Sequence, residues 1–208
     1  MEITAVEPRR KGLVQLYIDG EAAVKLDAET FLKSRLKPGD LLTDEELHQL
    51  IAASDARRAN EKALYLLEHR SHSKKELTDK IARTAASREA AQAAADRMEE
   101  LGLVDDEAFA QSYARELFLR KRFGPMRVKQ ELRQKGISPE LIDELVDQYD
   151  DGELLQENIR MVLEKKYSAW REDEKTRRRA FAALQRLGYS YEQIRAGMSR
   201  GAEEFPED

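Results

Sequence analysis

The sequence predicts a mainly α protein: three tandem three-helix repeats forming an elongated curved array, preceded by a small β-hairpin-containing N-terminal unit. Three observations carry this. Apolar residues recur at helical spacing from Thr43 almost to the chain end. A corner motif of small residue, apolar residue and serine recurs at intervals near 50 residues. Before Thr43 the pattern differs, with Asp19-Gly20, a strong hairpin signal, between two β-rich runs.

Taken in order, Leu13, Val14, Leu16, Tyr17 and Ile18 form a strand, and Ala23, Val24 and Leu26 form its return. Ile3, Ala5 and Val6 supply a third strand, since a lone hairpin is marginal. A short helix over 28–35 and the turn Lys37-Pro38-Gly39-Asp40 close this unit, residues 1–42, whose expected role is structural or an extra contact surface. Thr43 and Glu46 make a capping box. Residues 43–69 are then one long helix, or two with a break at Ser54-Asp55. Further helix starts stand at Ser73 with Glu76, Gly124-Pro125, Ser138-Pro139 and Ser190 with Gln193. The expected modules are a linking helix with the first repeat (43–104), a second repeat (105–150), a third (151–200) and a disordered acidic tail (201–208).

The repeat is explicit in the second unit: Val128 and Leu132 line a helix, Gly136 ends it, Ile137 plugs the corner, and Ser138 caps a helix containing Ile142. Fifty-two residues on stand Ala180, Leu184, Gly188, Tyr189, Ser190 and Ile194. Fifty-one residues back stand Leu77, Ile81, Ala85, Ala86, Ser87 and Ala91. Each unit has a preceding helix, with inward stripes Ala63, Leu64, Leu67; Phe109, Tyr113, Leu117, Phe118; and Ile159, Val162, Leu163, Tyr167. The first corner has no glycine and sits in an Ala-rich stretch, 82–95: its helices run on, or pack closely through small side chains. In the third unit SAWREDEKTRRR (168–179) is an insertion expected to lengthen the helices.

Composition bounds the chemistry. The 208 residues carry 41 acids and 36 Lys or Arg, a net −5, which excludes a chain basic throughout and a polyacidic disordered one. The absence of cysteine excludes disulfides, thiolate-bound metals and thiol catalysis. No signal peptide or membrane-length apolar run is visible, so the expected location is the cytoplasm, without membrane association. The three histidines show no converging ligand set, and no phosphate-binding glycine loop occurs. The paired acids suit helix caps. No catalytic, metal or cofactor residue is expected, and the protein is read as not an enzyme.

Charge is unevenly spread. Residues 160–200 hold eleven Lys or Arg against five acids, +6, and 201–208 hold four acids and no base. One candidate cluster is Arg120, Lys121, Arg122, Arg127, Lys129, Arg133 and Lys135; the other is Arg171, Arg177, Arg178, Arg179 and Arg186. Either suits phosphates or an acidic protein surface, or is a solvated helical face. Phe123, Tyr167 and Trp170 are core or interface anchors among them. Gly136-Ile137-Ser138 between two helices also resembles a helix-turn-helix corner, so the alternatives are a helical nucleic-acid-binding protein and a non-enzymatic scaffold.

Residues 63–81 (ALYLLEHRSHSKKELTDKI), 101–117 (LGLVDDEAFAQSYAREL), 122–146 (RFGPMRVKQELRQKGISPELIDELV) and 177–194 (RRRAFAALQRLGYSYEQI) resemble the RecX family, regulatory proteins that modulate the RecA recombinase. The resemblance covers about 55–200. It implies a non-enzymatic monomer that binds the groove of the RecA–DNA filament and reduces its ATPase, strand-exchange and co-protease activity, with weak direct DNA binding. It further implies a role in DNA repair, recombination and the SOS response. The chain departs from the family pattern in its Ala-rich 82–95 and in lacking glycine at Ala85.

Overall fold

Asp19 and Gly20 both adopt left-handed φ, 50° and 86°, and so reverse the chain. β2 (Leu13–Ile18) folds back as β3 (Glu21–Asp27), and β1 (Ile3–Arg9) pairs with its other edge, giving an antiparallel sheet in the order β1-β2-β3. This computed structural model describes residues 1–203, with side chains to Ser199. Val14, Leu16 and Ile18 alternate along β2 onto one face and are buried with Ile3 and Leu26. The other face is polar: Arg9 and the Tyr17 hydroxyl both donate to Glu7. α1 (Ala28–Ser34) is capped by the Asp27 carboxylate and ends at left-handed Arg35.

α2 (Asp44–His69) runs unbroken, opening with the Thr43–Glu46 capping box. There is no break at Ser54-Asp55, because Ser54 serves another element. Its buried hydroxyl accepts the Asp27 amide proton at 2.8 Å, tying the end of the sheet to the helix. Next to it, Arg57 Nε lies 2.8 Å from Asp27, and the same guanidinium pairs with Glu29 and Glu61. Burial pushes the Asp27 carboxyl up, but the bonds from Thr30 and the charge of Arg57 outweigh it and hold the group below the usual carboxylate range.

The far half of α2 is the first helix of the first repeat. Its Ala59 and Ala63 pack with Leu77 and Ile81 of α3 (Lys74–Ile81) and with Ala91, Ala94, Ala95 and Met98 of α4 (Arg88–Glu100). The Ala-rich helix therefore packs through small side chains and does not run on. The chain turns over 82–87, and Ser87 caps α4 by accepting the Ala90 amide proton. Leu64, expected inward, is 48% exposed: the buried stripe follows Ala59 and Ala63, with Leu66 and Leu67 at its margin. These elements form one compact unit, Met1–Asp105.

A second compact unit begins at Asp106. Its order is α5 (Asp106–Arg115), a π-helical turn (Glu116–Arg120), α6 (Pro125–Gln134), α7 (Pro139–Tyr149), α8 (Gly152–Lys166), a 3-10 turn (Ser168–Trp170), α9 (Glu174–Arg186) and α10 (Tyr191–Glu203). The second and third repeats share one core here, with Phe118, Leu132, Ile142, Leu145, Ile159 and Leu184 fully or almost fully enclosed. Gly136 and Gly188 take left-handed φ of 79° and 92°, Ile137 and Tyr189 are buried, and Ser138 and Ser190 accept the Leu141 and Gln193 amide protons.

The insertion 168–179 lengthens α9, as expected, but over only part of its length. Relative to the core position shared by Val128 and Ala180, α9 starts three residues earlier than α6; the rest is a tight turn held by buried Trp170. Of the acidic tail expected at 201–208, the first three residues belong to α10, and 204–208 lie outside the described residues. No helix among the described residues is long and apolar enough to cross a membrane.

His72, between α2 and α3, is 2% exposed, with its Nδ1 3.4 Å from Glu76. Burial lowers its pKa; Glu76 works against this, while the charges of Arg70 and Lys80 add to it, and the net shift is downward. The unfolded chain therefore binds a proton here more readily than the folded one. Stability should be full above the ordinary value of 6.5 and fall as the pH drops below it, levelling off once the folded imidazole also protonates. Urea denaturation between neutral and mildly acid pH checks this, and His72→Gln should flatten the dependence.

Candidate functional site

Arg122 and Arg127 of the first basic cluster and Arg186 of the second meet at one backbone joint inside the second unit. After α5 the π-helical turn adds a residue to the helical ring, with the Lys121 amide donating to Glu116 O and the Phe123 amide to Leu117 O (both 3.0 Å). Arg122 then takes a left-handed φ of 54°, and Gly124 starts α6 with no side-chain cap. The cap comes from the third repeat. Gly124 N–H donates to Leu187 O at 2.7 Å, and Met126 N–H donates to Gly188 O at 3.2 Å. Two of the amides that a helix start leaves unpaired are thus satisfied by the C-terminal end of α9.

Side chains reinforce the joint. The Tyr189 hydroxyl donates to Arg122 O at 2.9 Å, and burial raises its pKa. The Asn158 amide of α8 donates to Phe118 O at 3.0 Å. Arg127 donates to Arg186 O at 3.0 Å, lies 4.2 Å over the Phe123 ring and approaches Glu131 at 3.4 Å. Both glycines are required by space. A Cβ on Gly124 would stand 2.5 Å from the Gly188 carbonyl, and one on Gly188 would strike the Arg127 backbone nitrogen and Cβ.

The predicted basic residues fall into distinct situations. Arg122 and Arg127 build the joint. Lys129 is bound to Asp143 at 2.6 Å, and that bond holds the Asp143 carboxyl below its usual range. Lys121 pairs with Glu116 at 3.4 Å, and its ammonium and that of Lys135 lie 5.6 and 5.7 Å from the Tyr113 ring centre. Arg171 stacks on Trp170, and Arg177 and Arg178 both approach Glu174, at 3.7 and 3.0 Å. Arg120, Arg133, Arg179 and Arg186 are exposed, and among the described residues Arg120 and Arg186 form no ion pair. Arg120 and Arg186 thus stand on the two segments that the joint brings together. Arg177 to Arg179 lie in the first half of α9 and Arg171 precedes it, whereas Arg186 ends it.

Sequence reasoning missed two features. Gly124 was legible only as the residue before a helix-starting proline, although it stands where Ser73, Ser87, Ser138 and Ser190 cap other helices; the missing hydroxyl was the available signal. Met126 and Tyr191, 66% and 61% exposed, flank the joint without belonging to an inward stripe. As chemistry, the joint offers exposed cations and the exposed apolar side chains of Met126 and Tyr191, and no reacting group. His48 and His69 bond carbonyls of their own helix, and among the described residues no group of three or more His, Cys, Asp or Glu could hold a metal.

Comparison with known proteins places this arrangement. Residues 105–146 match the model of the second three-helix domain of RecX, and 153–198 match the third. The chain is 30% identical over 179 residues to the regulatory protein RecX of Caldanaerobacter subterraneus subsp. tengcongensis, covering 86% of this chain and 90% of that one. It is 30% identical over 193 residues to that of Geobacillus kaustophilus, covering 90% and 71%. A crystal structure of regulatory protein RecX superposes with a TM-score of 0.63 at 24% identity, covering 94% of this chain and 98% of that one, and shows the shared fold.

Gly124→Ala, at φ −78°, adds no backbone strain but forces the two repeats apart, and should cost about 2 kcal/mol. Gly102→Ala meets nothing within 4 Å and pays only for its left-handed φ, about 1 kcal/mol. Tyr189→Phe should cost about 1 kcal/mol by leaving Arg122 O without its donor. Urea denaturation of the three variants checks the order.

Proposed function

Because the chain belongs to the RecX family of regulatory proteins, we propose that it modulates the RecA recombinase, mainly as an inhibitor and without catalysis of its own. It acts in the cytoplasm as a monomer, binding in the groove of the RecA–DNA filament and reducing ATPase, strand-exchange and co-protease activity. The observation that carries this reading is the joint. It ties the helix start that follows Arg120 to the helix end that carries Arg186, and both arginines, with Met126 and Tyr191, are exposed. Arg, Tyr and Met are side chains that protein interfaces favour, and a surface ordered beforehand loses little entropy on binding. A groove can be blocked by occupancy alone, so no reacting group is needed. Direct contact with DNA phosphates adds a weaker, salt-dependent component.

The residues to reverse are those not already used to hold the fold. In the triple variant Arg120→Glu, Arg179→Glu, Arg186→Glu, inhibition of recombinase ATPase should require about tenfold more protein, since each exposed pair contributes about 0.5 kcal/mol. Unchanged inhibition, with the helical circular dichroism intact, contradicts the reading. Steep, salt-dependent binding to bare duplex DNA, without preference for the filament, would favour a general nucleic-acid-binding protein instead.

A further inference from the structure

Between Lys135 and Arg160 the chain carries eight acids and no Lys or Arg. On α7 they recur at Glu140, Glu144 and Asp147, positions that share one helical face and lead to Asp150 at the helix end. Two of the eight are neutralised: Asp143 pairs with Lys129, and Glu157 with Arg160. Glu140, Glu144, Asp147, Asp150 and Glu153 are exposed, and among the described residues they form no ion pair.

A cavity of about 270 Å³ opens beside Asp150, at the starts of α8 and α10 and wholly inside the second unit. That is just below the size of pockets for small-molecule ligands and is room for one long side chain. Leu155 and Ile159, 2% and 0% exposed, form its floor with Ala196, and the exposed acids Asp150 and Glu192 form its rim. No Lys or Arg lines it, and among the described residues Glu192 also forms no ion pair. The two helix starts do not cancel this charge. Asp151 caps α8 by accepting the Glu153 amide proton at 3.0 Å. Ser190 N–H donates to the Gln193 side chain at 2.9 Å, and Gln193 N–H donates to the Ser190 hydroxyl at 3.1 Å. These amides are engaged within the chain and leave the carboxylates to set the sign of the site.

We propose that this cavity docks an arginine side chain from a basic segment of a partner protein. The aliphatic stem lies on Leu155, Ile159 and Ala196, and the guanidinium meets Asp150 and Glu192. The acids along α7 receive further cations of the same segment. Nucleic acid is repelled by the same charges. The site does not depend on the recombinase reading and can be tested without a recombinase.

The full chain, labelled for amide NMR, is titrated with acetyl-Gly-Arg-Gly-amide and with its citrulline counterpart, which keeps the shape and loses the charge. The arginine peptide should shift resonances of residues 150–156 and 192–196. It should bind about fivefold more tightly than the citrulline peptide, as expected for two exposed charge pairs. Asp150→Asn with Glu192→Gln leaves the apolar floor intact and should equalise the two peptides. Ala196→Leu fills the cavity with the charges in place and should abolish both responses. A second arginine, in acetyl-Gly-Arg-Gly-Gly-Arg-amide, should tighten binding about fivefold again through the acids of α7. No shift in these residues, equal affinities in the parent chain, or a preference that survives in the double variant would overturn the proposal. So would parent-like binding by a folded Ala196→Leu variant. A gain from the second arginine no larger than the statistical factor of about two would overturn its assignment to a basic segment. Self-association of the chain that the double variant abolishes would overturn it in favour of a second copy.

Discussion

The second unit depends on the contact between Gly124 and Gly188. Two helix ends with opposite partial charge meet there: the amides that open α6 and the carbonyls that close α9. The carbonyls of Ala183, Leu184 and Gln185 are satisfied by amides that follow them in the same repeat, whereas Gly124 has no capping side chain and takes its partner from the other repeat. The approach is closer than any Cβ permits, so the sequence requirement is for the absence of a side chain at two places 64 residues apart. With this joint go the left-handed turn at Arg122, the bond from Tyr189 to its carbonyl, and the bond from Arg127 to the Arg186 carbonyl.

The same economy governs the first unit, where the sheet and the long helix are joined by a polar network. Ser54 satisfies a strand-end amide, and Arg57 gathers Asp27, Glu29 and Glu61. An isolated three-stranded sheet with one polar face would be marginal. Leu50 of α2 and Leu42 complete its core, and the network fixes the direction in which α2 leaves. The continuity of α2 then delivers the first helix of the first repeat. The N-terminal unit is therefore a structural part of that repeat's foundation.

The repeats differ in how they close. In the second and third, a large apolar residue fills each corner and the glycine before it turns the chain. In the first, alanines replace both, and the helices compensate by packing closely through Ala59, Ala63, Ala91, Ala94 and Ala95. Close packing stabilises the helix pair but leaves the corner itself open. Ion pairs are also unevenly distributed in role. Lys129 and Arg127 are bound inside the fold, whereas Arg120 and Arg186 are exposed and, among the described residues, form no ion pair. A mutational survey that treats all the cations as equivalent would mix effects on stability with effects on recognition.

The sequence by itself determined the hairpin at Asp19-Gly20, the capping boxes, the corners at Gly136 and Gly188 and the periodic core residues, because each is a short-range matter of backbone conformation or helical phase. It left open whether α2 breaks at Ser54, since the partner that retains that serine lies 27 residues away in a strand end. It misjudged Leu64, because which side of a long helix is buried depends on the elements that reach it. The basic clusters were legible as composition, but not which cations are bound within the fold. Only the tertiary structure decided that, because Lys129 meets Asp143 across a helix corner and Arg127 meets the Arg186 carbonyl across two repeats, and such pairings leave no trace in periodicity, charge or propensity.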